Sequence, residues 1–252
     1  MNLGGFTDLI NEIFQGDCLD IMKDLPDKSF DMILCDLPYG STQNQWDSPI
    51  PLDQLWQQYE RLIKDRGVIV LTAQTPFDKV LGNSNLQMLR YEWIWVKNRP
   101  TGFFNAKKMP MKTHENILIF YKNLPQYNPQ KTLGHKPVNR FKKHSTDGSN
   151  YNDALMGFEG GGQTDRYPVD VLYFPRDKDR YHPTQKPVAL FEYLIKTYTN
   201  EGDLVLDNCL GSGTTALAAA SLNRNFTGIE LDANYVQIAR DRLKRMEQQM
   251  IV

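Results

Sequence analysis

The stretch DLVLDNCLGSGTTALAAASLNRNFTGIELD, residues 203–232, decides the fold class. It reads as a short apolar strand, a glycine-rich turn, an alanine-rich helix and a second strand that ends in an acid. Gly211 and Gly213 permit a tight turn and let a ligand approach the backbone, and the following helix offers its N–H groups. Glu230 lies 23 residues after Asp207, at the end of the next strand, where a carboxylate can accept hydrogen bonds from ribose hydroxyls. The stretch therefore predicts a nucleotide-binding β–α–β unit.

The identity of the nucleotide stays open at this point. Gly211, Gly213 and Ala216 also match the Gly-x-Gly-x-x-Ala pattern of dinucleotide-binding turns, which often arises by chance. The turn alone is compatible with a methyl-donor nucleotide, with NAD, or with no ligand at all.

The rest of the chain shows the alternation of a parallel sheet with crossover helices. Buried-strand patterns occur at Phe30–Cys35 and Val68–Ala73, and a helical pattern at Val188–Tyr198. Two more strands are predicted at 91–96 and 115–121, but periodicity is lost from 122 to 179. We expect one α/β domain whose halves, 1–121 and 181–252, are separated by an insertion at 122–180.

Composition excludes several classes of protein. The chain has 252 residues, 40% hydrophobic and 23% charged, which is typical of a globular protein. It contains no apolar run of the ~20 residues that span a bilayer, and its first residues lack a secretion signal, so we expect a cytoplasmic protein with no membrane partner. The three cysteines and four histidines fit neither a disulfide framework nor a metal site, so no metal is predicted.

The tetrapeptide DLPY, Asp36–Tyr39, directly follows a predicted strand and so lies where α/β proteins bind ligands. The Asp36 carboxylate and the Leu37 carbonyl, stiffened by Pro38, can accept both hydrogens of an exocyclic amine. Such acceptors favour a pyramidal nitrogen whose lone pair can attack a methyl group. Tyr39 offers a ring on which an extruded base can stack. A plain strand-terminating turn is the alternative for this tetrapeptide in isolation.

The sequence resembles the circularly permuted beta group of the N6/N4 DNA amino-methyltransferases. The resemblance covers most of the chain outside 122–179 and rests on eight segments in the order of that family. These are GDC at 16–18, DLPYG at 36–40, GVIVLTA at 67–73, W-x-K at 95–97, HENIL at 114–118, HPTQKP at 182–187, LDNCLGSGTT at 206–215 and GIELD at 228–232.

The resemblance implies a Rossmann-like, doubly wound, mostly parallel seven-stranded sheet, of the class I S-adenosylmethionine-dependent type, with an inserted target-recognition region. It implies direct in-line methyl transfer from S-adenosylmethionine to a base flipped out of DNA. The implied catalytic residues are Asp36, Leu37, Pro38 and Tyr39. The implied cofactor-binding residues are Asp17, Cys18, Thr184, Gln185, Lys186, Asp207, Gly211, Ser212, Gly213, Thr214, Glu230 and Leu231.

Two departures from the family pattern concern the site. Leu37 stands where the family usually has Pro, which makes the catalytic turn less stiff. Asn208 and Cys209 replace the usual Pro-Phe, which affects packing around the cofactor. Asp36 at the first position of the tetrapeptide favours adenine N6, because the cytosine-N4 enzymes typically carry Ser there.

Residues 97–150 contain eleven Lys/Arg and two acidic residues, a formal charge of +9, whereas the whole chain carries −1. Such segregation favours a polyanion-binding face, here double-stranded DNA, over a merely solvated loop. The predicted DNA contacts are Lys97, Arg99, Lys107, Lys108, Lys112, Arg140, Lys142 and Lys143. A homodimer and a cognate restriction endonuclease are further candidate partners.

Three alternatives to an adenine methyltransferase remain. A cytosine-N4 methyltransferase would act on the same kind of amino group. A NAD-dependent oxidoreductase would explain the glycine turn, although no hydride-transfer partner is recognisable. A non-catalytic DNA-binding relic would explain the two departures.

Overall fold

The computed structural model describes residues 9–40, 49–142 and 159–250. Lys143, which the sequence predicts as a DNA contact, lies outside these residues. The chain forms two compact units, a larger one made of Met1–Asn128 and Asp170–Val252, and a smaller one made of Pro129–Val169. The smaller unit falls inside the predicted insertion at 122–180.

The larger unit contains alternating strands and helices. The strands are β1 (Glu12–Gln15), β2 (Phe30–Cys35), β3 (Ile63–Ala73), β4 (Leu89–Thr101), β5 (Lys112–Phe120), β8 (Val171–Tyr173), β9 (Leu204–Asp207) and β10 (Asn225–Glu230). The helices are α1 (Cys18–Asp24), α2 (Leu52–Leu62), α3 (Phe77–Ser84), α4 (Val188–Tyr198), α5 (Thr214–Ser221) and α6 (Ala233–Met250).

These strands form one sheet in the order β1-β10-β9-β2-β3-β5-β4-β8. Within this sheet, as far as its strands are described, only the two pairs that involve β5 are antiparallel, so the predicted mostly parallel, doubly wound fold is confirmed. In the part of the chain that the structure describes, the sheet has eight strands rather than seven. The additional strand, β8, pairs with β4 and comes from the segment assigned to the insertion, where three residues give too short a pattern to recognise.

The helices cover both faces of the sheet because the central strands are apolar on both sides. Along β2, Met32 and Leu34 pack in the hydrophobic cluster formed with α4, α5 and α6. Ile33 and Cys35 point the opposite way, into the cluster formed with α1, α2 and α3. This alternation is the two-residue period of a strand. No helix among the described residues combines the length and the apolarity needed to cross a membrane.

The smaller unit is held together by antiparallel contacts. Its two-residue strands β6 (Phe141–Lys142) and β7 (Glu159–Gly160) pair with each other. Thr132 and Arg166 form an isolated antiparallel bridge.

Candidate active site

The two turns singled out from the sequence lie side by side at one edge of the sheet. The DLPY turn follows β2 and the glycine turn follows β9, and these strands are parallel neighbours with Ile33 opposite Leu206. Adjacent strands are ~4.8 Å apart, so the turns emerge next to each other at the carboxyl edge. The arrangement that the sequence predicts, the DLPY turn beside the glycine turn, is therefore present.

A cavity of about 680 Å³ opens between these turns. This volume lies within the range of about 300–1,000 Å³ for small-molecule sites. Its lining includes all four residues of the DLPY tetrapeptide. It also includes nearly all of the predicted cofactor-binding residues, namely Asp17, Cys18, Thr184, Gln185, Lys186, Asp207, Gly211, Ser212, Thr214, Glu230 and Leu231.

The Asp36 carboxylate is held by three donors. Its Oδ1 accepts hydrogen bonds from the hydroxyls of Thr72, on β3, and of Tyr39, the latter at 2.9 Å. Its Oδ2 accepts from Lys186 Nζ at 2.6 Å. A carboxylate offers about four lone-pair directions, so one acceptor position is left for a substrate hydrogen.

Asp36 belongs to a largely buried network of charges, which we call the ion network: Asp36, Lys186, Glu115 and Lys97. Lys186 Nζ lies 3.3 Å from Glu115 Oε2, and Lys97 Nζ lies 3.1 Å from Glu115 Oε1. The side chains of Lys97 and Lys186 are only 1% and 5% exposed. Two cations balance two carboxylates, so the network is electrically neutral when all four groups are ionised.

The pKa values of the network reflect competition between burial and pairing. Burial alone would lower the pKa of Lys186, but Asp36 and Glu115 outweigh it and raise that pKa. Burial would raise the pKa of Glu115, but Lys186 and Lys97 leave it lowered. For Lys97 burial wins, and its pKa is lowered despite Glu115. Both ammonium partners of Glu115, Lys97 and Lys186, therefore favour its ionised form.

Tyr39 joins the DLPY turn to this network. Its ring stacks on Phe77 of α3 with centroids 5.3 Å apart, so one face of the ring is covered and a base could stack only on the other. Burial, followed by the charges of Asp36 and Glu115, raises the pKa of its hydroxyl well above the usual value. Tyr39 therefore acts as a neutral donor to Asp36.

The glycine turn is shaped by close contacts with α6 and β10. Gly213 has φ 87°, and a Cβ there would lie 2.8 Å from that of Ala239 on α6, so only glycine fits. The N–H of Gly211 donates to Glu230 Oε2 at 2.7 Å. Arg242 of α6, which is buried, donates to the Ser212 carbonyl at 2.6 Å. Glu230, predicted from the sequence as a ribose ligand only, therefore also fixes the turn.

Asp207 lies buried beneath the turn. It accepts hydrogen bonds from the Thr215 hydroxyl and, at 3.0 Å, from the Cys209 N–H. Burial, the largest effect, raises the pKa of Asp207 to about 7, although these hydrogen bonds oppose it. Cys18, which also lines the cavity, has a lowered thiol pKa because of a hydrogen bond with Cys209.

The HPTQKP segment reaches the glycine turn through Gln185. Its Oε1 accepts from Ser212 Oγ at 3.2 Å, and its Nε2 donates to Asp177 Oδ2 at 3.0 Å. Thr184 Oγ1 lies 3.0 Å from His182 Nδ1. Asp17, by contrast, caps α1 by accepting from the Leu19 N–H at 2.8 Å, so its carboxylate already has a structural role.

The predicted DNA contacts fall into different environments. Arg99, Lys107 and Lys108 are exposed, and they form no ion pair with any described residue. Lys112 is half-buried and donates to Gln74 Oε1 and to the Thr75 carbonyl, both at 3.1 Å. Lys97 differs from the prediction, because its ammonium is buried against Glu115 and is not available to a phosphate.

Two further predicted contacts lie in the smaller unit. Arg140 is exposed, whereas Lys142 pairs with Glu159 on the neighbouring strand.

Sequence reasoning missed the ion network and Thr72. The signal was present, because Thr72, Lys97 and Glu115 are polar residues at the ends of otherwise apolar strands. Buried polar groups at the carboxyl edge of a sheet are candidates for a functional site.

Comparison with known proteins agrees with this geometry. The family model described as DNA methylase, of the N6/N4 methyltransferases, matches residues 30–241. The Type II methyltransferase M.BglII of Bacillus subtilis is 31% identical over 91% of this chain and 68% of its own length. The DNA adenine methyltransferase YhdJ of Escherichia coli K12 is 28% identical over 92% of this chain and 82% of its own length.

A solved structure is also similar. The crystal structure of the complex of M1.HpyAVI with SAM superposes with a TM-score of 0.62 at 26% identity. The similarity covers 92% of this chain and 98% of that one.

Proposed function

The chain belongs to the N6/N4 family of DNA methylases, and on this premise we propose that it methylates the N6 amino group of adenine at a specific DNA sequence. It is an S-adenosylmethionine-dependent DNA methyltransferase. Family membership decides between a methyl-donor nucleotide and NAD, which the glycine turn alone left open. The choice of adenine is supported by Asp36 in the tetrapeptide and by relatives such as the adenine methyltransferase YhdJ.

One observation carries the proposal: the Asp36 turn and the glycine turn share one cavity at the carboxyl edge of adjacent strands. A methyl group bound on one turn can therefore reach an amine bound on the other. Holding both reactants in one orientation supplies much of the rate enhancement of a transfer reaction.

The chain's residues fit S-adenosylmethionine. The Gly213 cradle, which a Cβ would fill, gives a close approach to the backbone, and Glu230 keeps acceptor capacity beside it. We assign the ribose hydroxyls to Glu230, the adenine to the Asp17–Cys18 side of the cavity, and the methionine end to the Thr184–Gln185 side. When bound, the cofactor supplies an electrophilic methyl group on a sulfonium sulfur.

The remaining chemistry is assigned to the catalytic turn. Asp36 accepts one hydrogen of the adenine amine and the Leu37 carbonyl accepts the other, which directs the nitrogen lone pair at the methyl group. The methyl group that the cofactor would supply would bond to this nitrogen as its bond to the sulfonium sulfur breaks. The nitrogen then loses one proton, for which Asp36 is the adjacent acceptor. Tyr39 and Thr72 hold Asp36 in place during this step.

The test is single-molecule sequencing of genomic DNA from a host that lacks adenine methylation and expresses this chain. We expect N6-methyladenine at one recurrent sequence, and none in a host that expresses Asp36→Ala. If the methyl groups are found on cytosine N4 instead, the target is cytosine and not adenine. The absence of any methyl group in DNA, despite folded protein, would favour the non-catalytic relic.

Two partners belong to the same proposal. Because M.BglII and other relatives are named Type II methyltransferases, a cognate restriction endonuclease is a candidate partner, and we place the pair in the cytoplasm with the DNA. A homodimer is the second candidate. Analytical ultracentrifugation of the purified chain would test the homodimer, because a monomeric mass would exclude it.

A further inference from the structure

The tip of the β4–β5 hairpin projects from the catalytic edge of the sheet. The last pair between β3 and β5 is Ala73 with Asn116, whereas β4 and β5 remain paired as far as Thr101 with Lys112. The hairpin therefore continues four residues beyond β3, about 13 Å at ~3.3 Å per residue. Because β4 runs parallel to β2 and β3, its end points to the same side as Asp36.

We call residues 102–109 the tip. It carries two phenylalanines in full contact with solvent: Phe103 is 75% exposed and Phe104 is 101% exposed. Hydrogen bonds within the tip fix its shape, from the Asn105 N–H to the Gly102 carbonyl at 3.0 Å and from the Lys108 N–H to the Asn105 carbonyl at 2.8 Å. Adjacent large apolar side chains on a fixed projection are unusual on a protein surface and indicate a binding partner.

Charge around the tip indicates which partner it is. Arg99, Lys107 and Lys108 flank the two phenylalanines, and residues 97–112 contain no Asp or Glu. A DNA duplex matches both features. It is a polyanion, and it exposes apolar base surfaces where two stacked bases separate.

The base of the tip is joined to the ion network. Thr101 Oγ1 lies 3.3 Å from Lys97 Nζ, which pairs with Glu115. The same hydroxyl donates to the Lys112 carbonyl on the opposite strand at 3.3 Å. The base of the tip is therefore connected to Asp36 through Lys97, Glu115 and Lys186.

We propose that Phe103 and Phe104 form a wedge that enters the DNA stack where the target adenine leaves it. This inference rests on the proposed function. Aromatic side chains inserted between bases recover stacking that base flipping loses, and so offset the cost of unstacking the flipped base. Lys107 and Lys108 bind the adjacent phosphates.

The first test measures DNA binding alone, with S-adenosylhomocysteine present so that no methyl transfer occurs. We expect the wild-type protein to bind a duplex with an abasic site more tightly than an intact duplex. The missing base leaves a gap in the stack, and the wedge fills this gap. The variant F103A/F104A should lose this preference, a change of roughly 5- to 150-fold, the factor for one base–aromatic stack. An unchanged preference in the variant would overturn the wedge.

The second test uses the recognition sequence found by sequencing. F103A/F104A should lower kcat/KM on a paired target adenine by a similar factor, and much less when the adenine lies opposite an abasic site and leaves the stack freely. Leu86→Ala, at an exposed apolar residue before β4 and so at the opposite edge, is the matched control and should retain wild-type activity. Equal losses on both duplexes, or an altered oligomeric mass with normal activity, would contradict the proposal.

The two proposals can fail separately. If the adenine proposal is wrong, the genome of a host that expresses the wild-type chain will lack N6-methyladenine. This outcome does not depend on the DNA binding of F103A/F104A. Failure of the wedge would appear in the abasic-gap preference, which involves no methyl transfer.

Discussion

Asp36 must satisfy two demands that compete for its oxygens. Thr72, Tyr39 and Lys186 hold the carboxylate in one orientation, yet the proposed mechanism needs one of its lone-pair directions free for the amine. Three donors on about four lone-pair directions meet both demands. The carboxylate is therefore positioned before substrate arrives, so little reorganisation is needed in the transition state.

Replacing Asp36 by Ala should accordingly reduce kcat much more than it weakens cofactor binding. We expect kcat to fall ~10²–10³-fold, the effect of removing one preorganised hydrogen-bonding group. Steady-state kinetics together with equilibrium binding of S-adenosylmethionine would measure both quantities. Asp27→Ala, at an exposed carboxylate paired with Arg61, is the control. Normal turnover of Asp36→Ala would remove Asp36 from the chemistry.

At the scale of elements, the ion network brings together four separate segments of chain. Lys97 comes from β4, Glu115 from β5, Lys186 from the segment before α4 and Asp36 from the turn after β2. Trp95 lies opposite Glu115 in the β4–β5 ladder, which places Lys97 within reach of the carboxylate. Removing one member leaves a buried charge without its partner, which typically costs about 3–5 kcal/mol.

Lys97→Met should therefore lower both stability and kcat while the Kd for S-adenosylmethionine stays close to wild type. Because Lys97 lowers the pKa of Glu115, its loss raises that pKa, and the fall of kcat towards acidic pH should begin at a higher pH. A pH profile of kcat tests this, and Lys97→Arg should restore part of the activity.

Lys122→Met is the matched control for Lys97→Met. Its ammonium pairs with Glu60 at 3.2 Å on the surface, where an ion pair contributes at most about 1 kcal/mol. If the Lys97 and Lys122 variants shared one pH profile, Lys97 would have only a structural role.

The contrast between β9–α5–β10 and the β4–β5 hairpin shows what the sequence could reveal. The sequence predicts the strand, the glycine turn and the helix between Leu204 and Glu230 because each of these elements has a local sequence pattern of its own. Lys97 was placed on DNA because counting charges treats every cation as exposed. Its pairing with Glu115, 18 residues away, depends on the register of two strands, and no local pattern specifies that register. β8 was assigned to the insertion for another reason, because its three residues are too short a pattern to recognise.

At the scale of the whole molecule, Asp207 makes the free energy of unfolding depend on pH. Asp207 lies buried beneath this turn, and burial raises its pKa to about 7. An unfolded chain would release this proton near pH 3.9. Between these two values the folded state binds more protons than the unfolded state, so the contribution of Asp207 to stability falls as pH rises and becomes constant above about pH 7.

Asp207→Asn should remove this dependence, since the amide keeps the side-chain volume and does not ionise. The free energy of unfolding of the Asn variant, relative to wild type, should increase from pH 5 to pH 7 by up to ~1.4 kcal/mol per pH unit and then level off. Urea unfolding at four values between pH 5 and pH 8 would measure the difference. Glu201→Gln, at an exposed carboxylate before β9, controls for loss of a surface charge. A difference independent of pH would mean that Asp207 is ionised throughout this range, held so by the Thr215 hydroxyl and the Cys209 N–H.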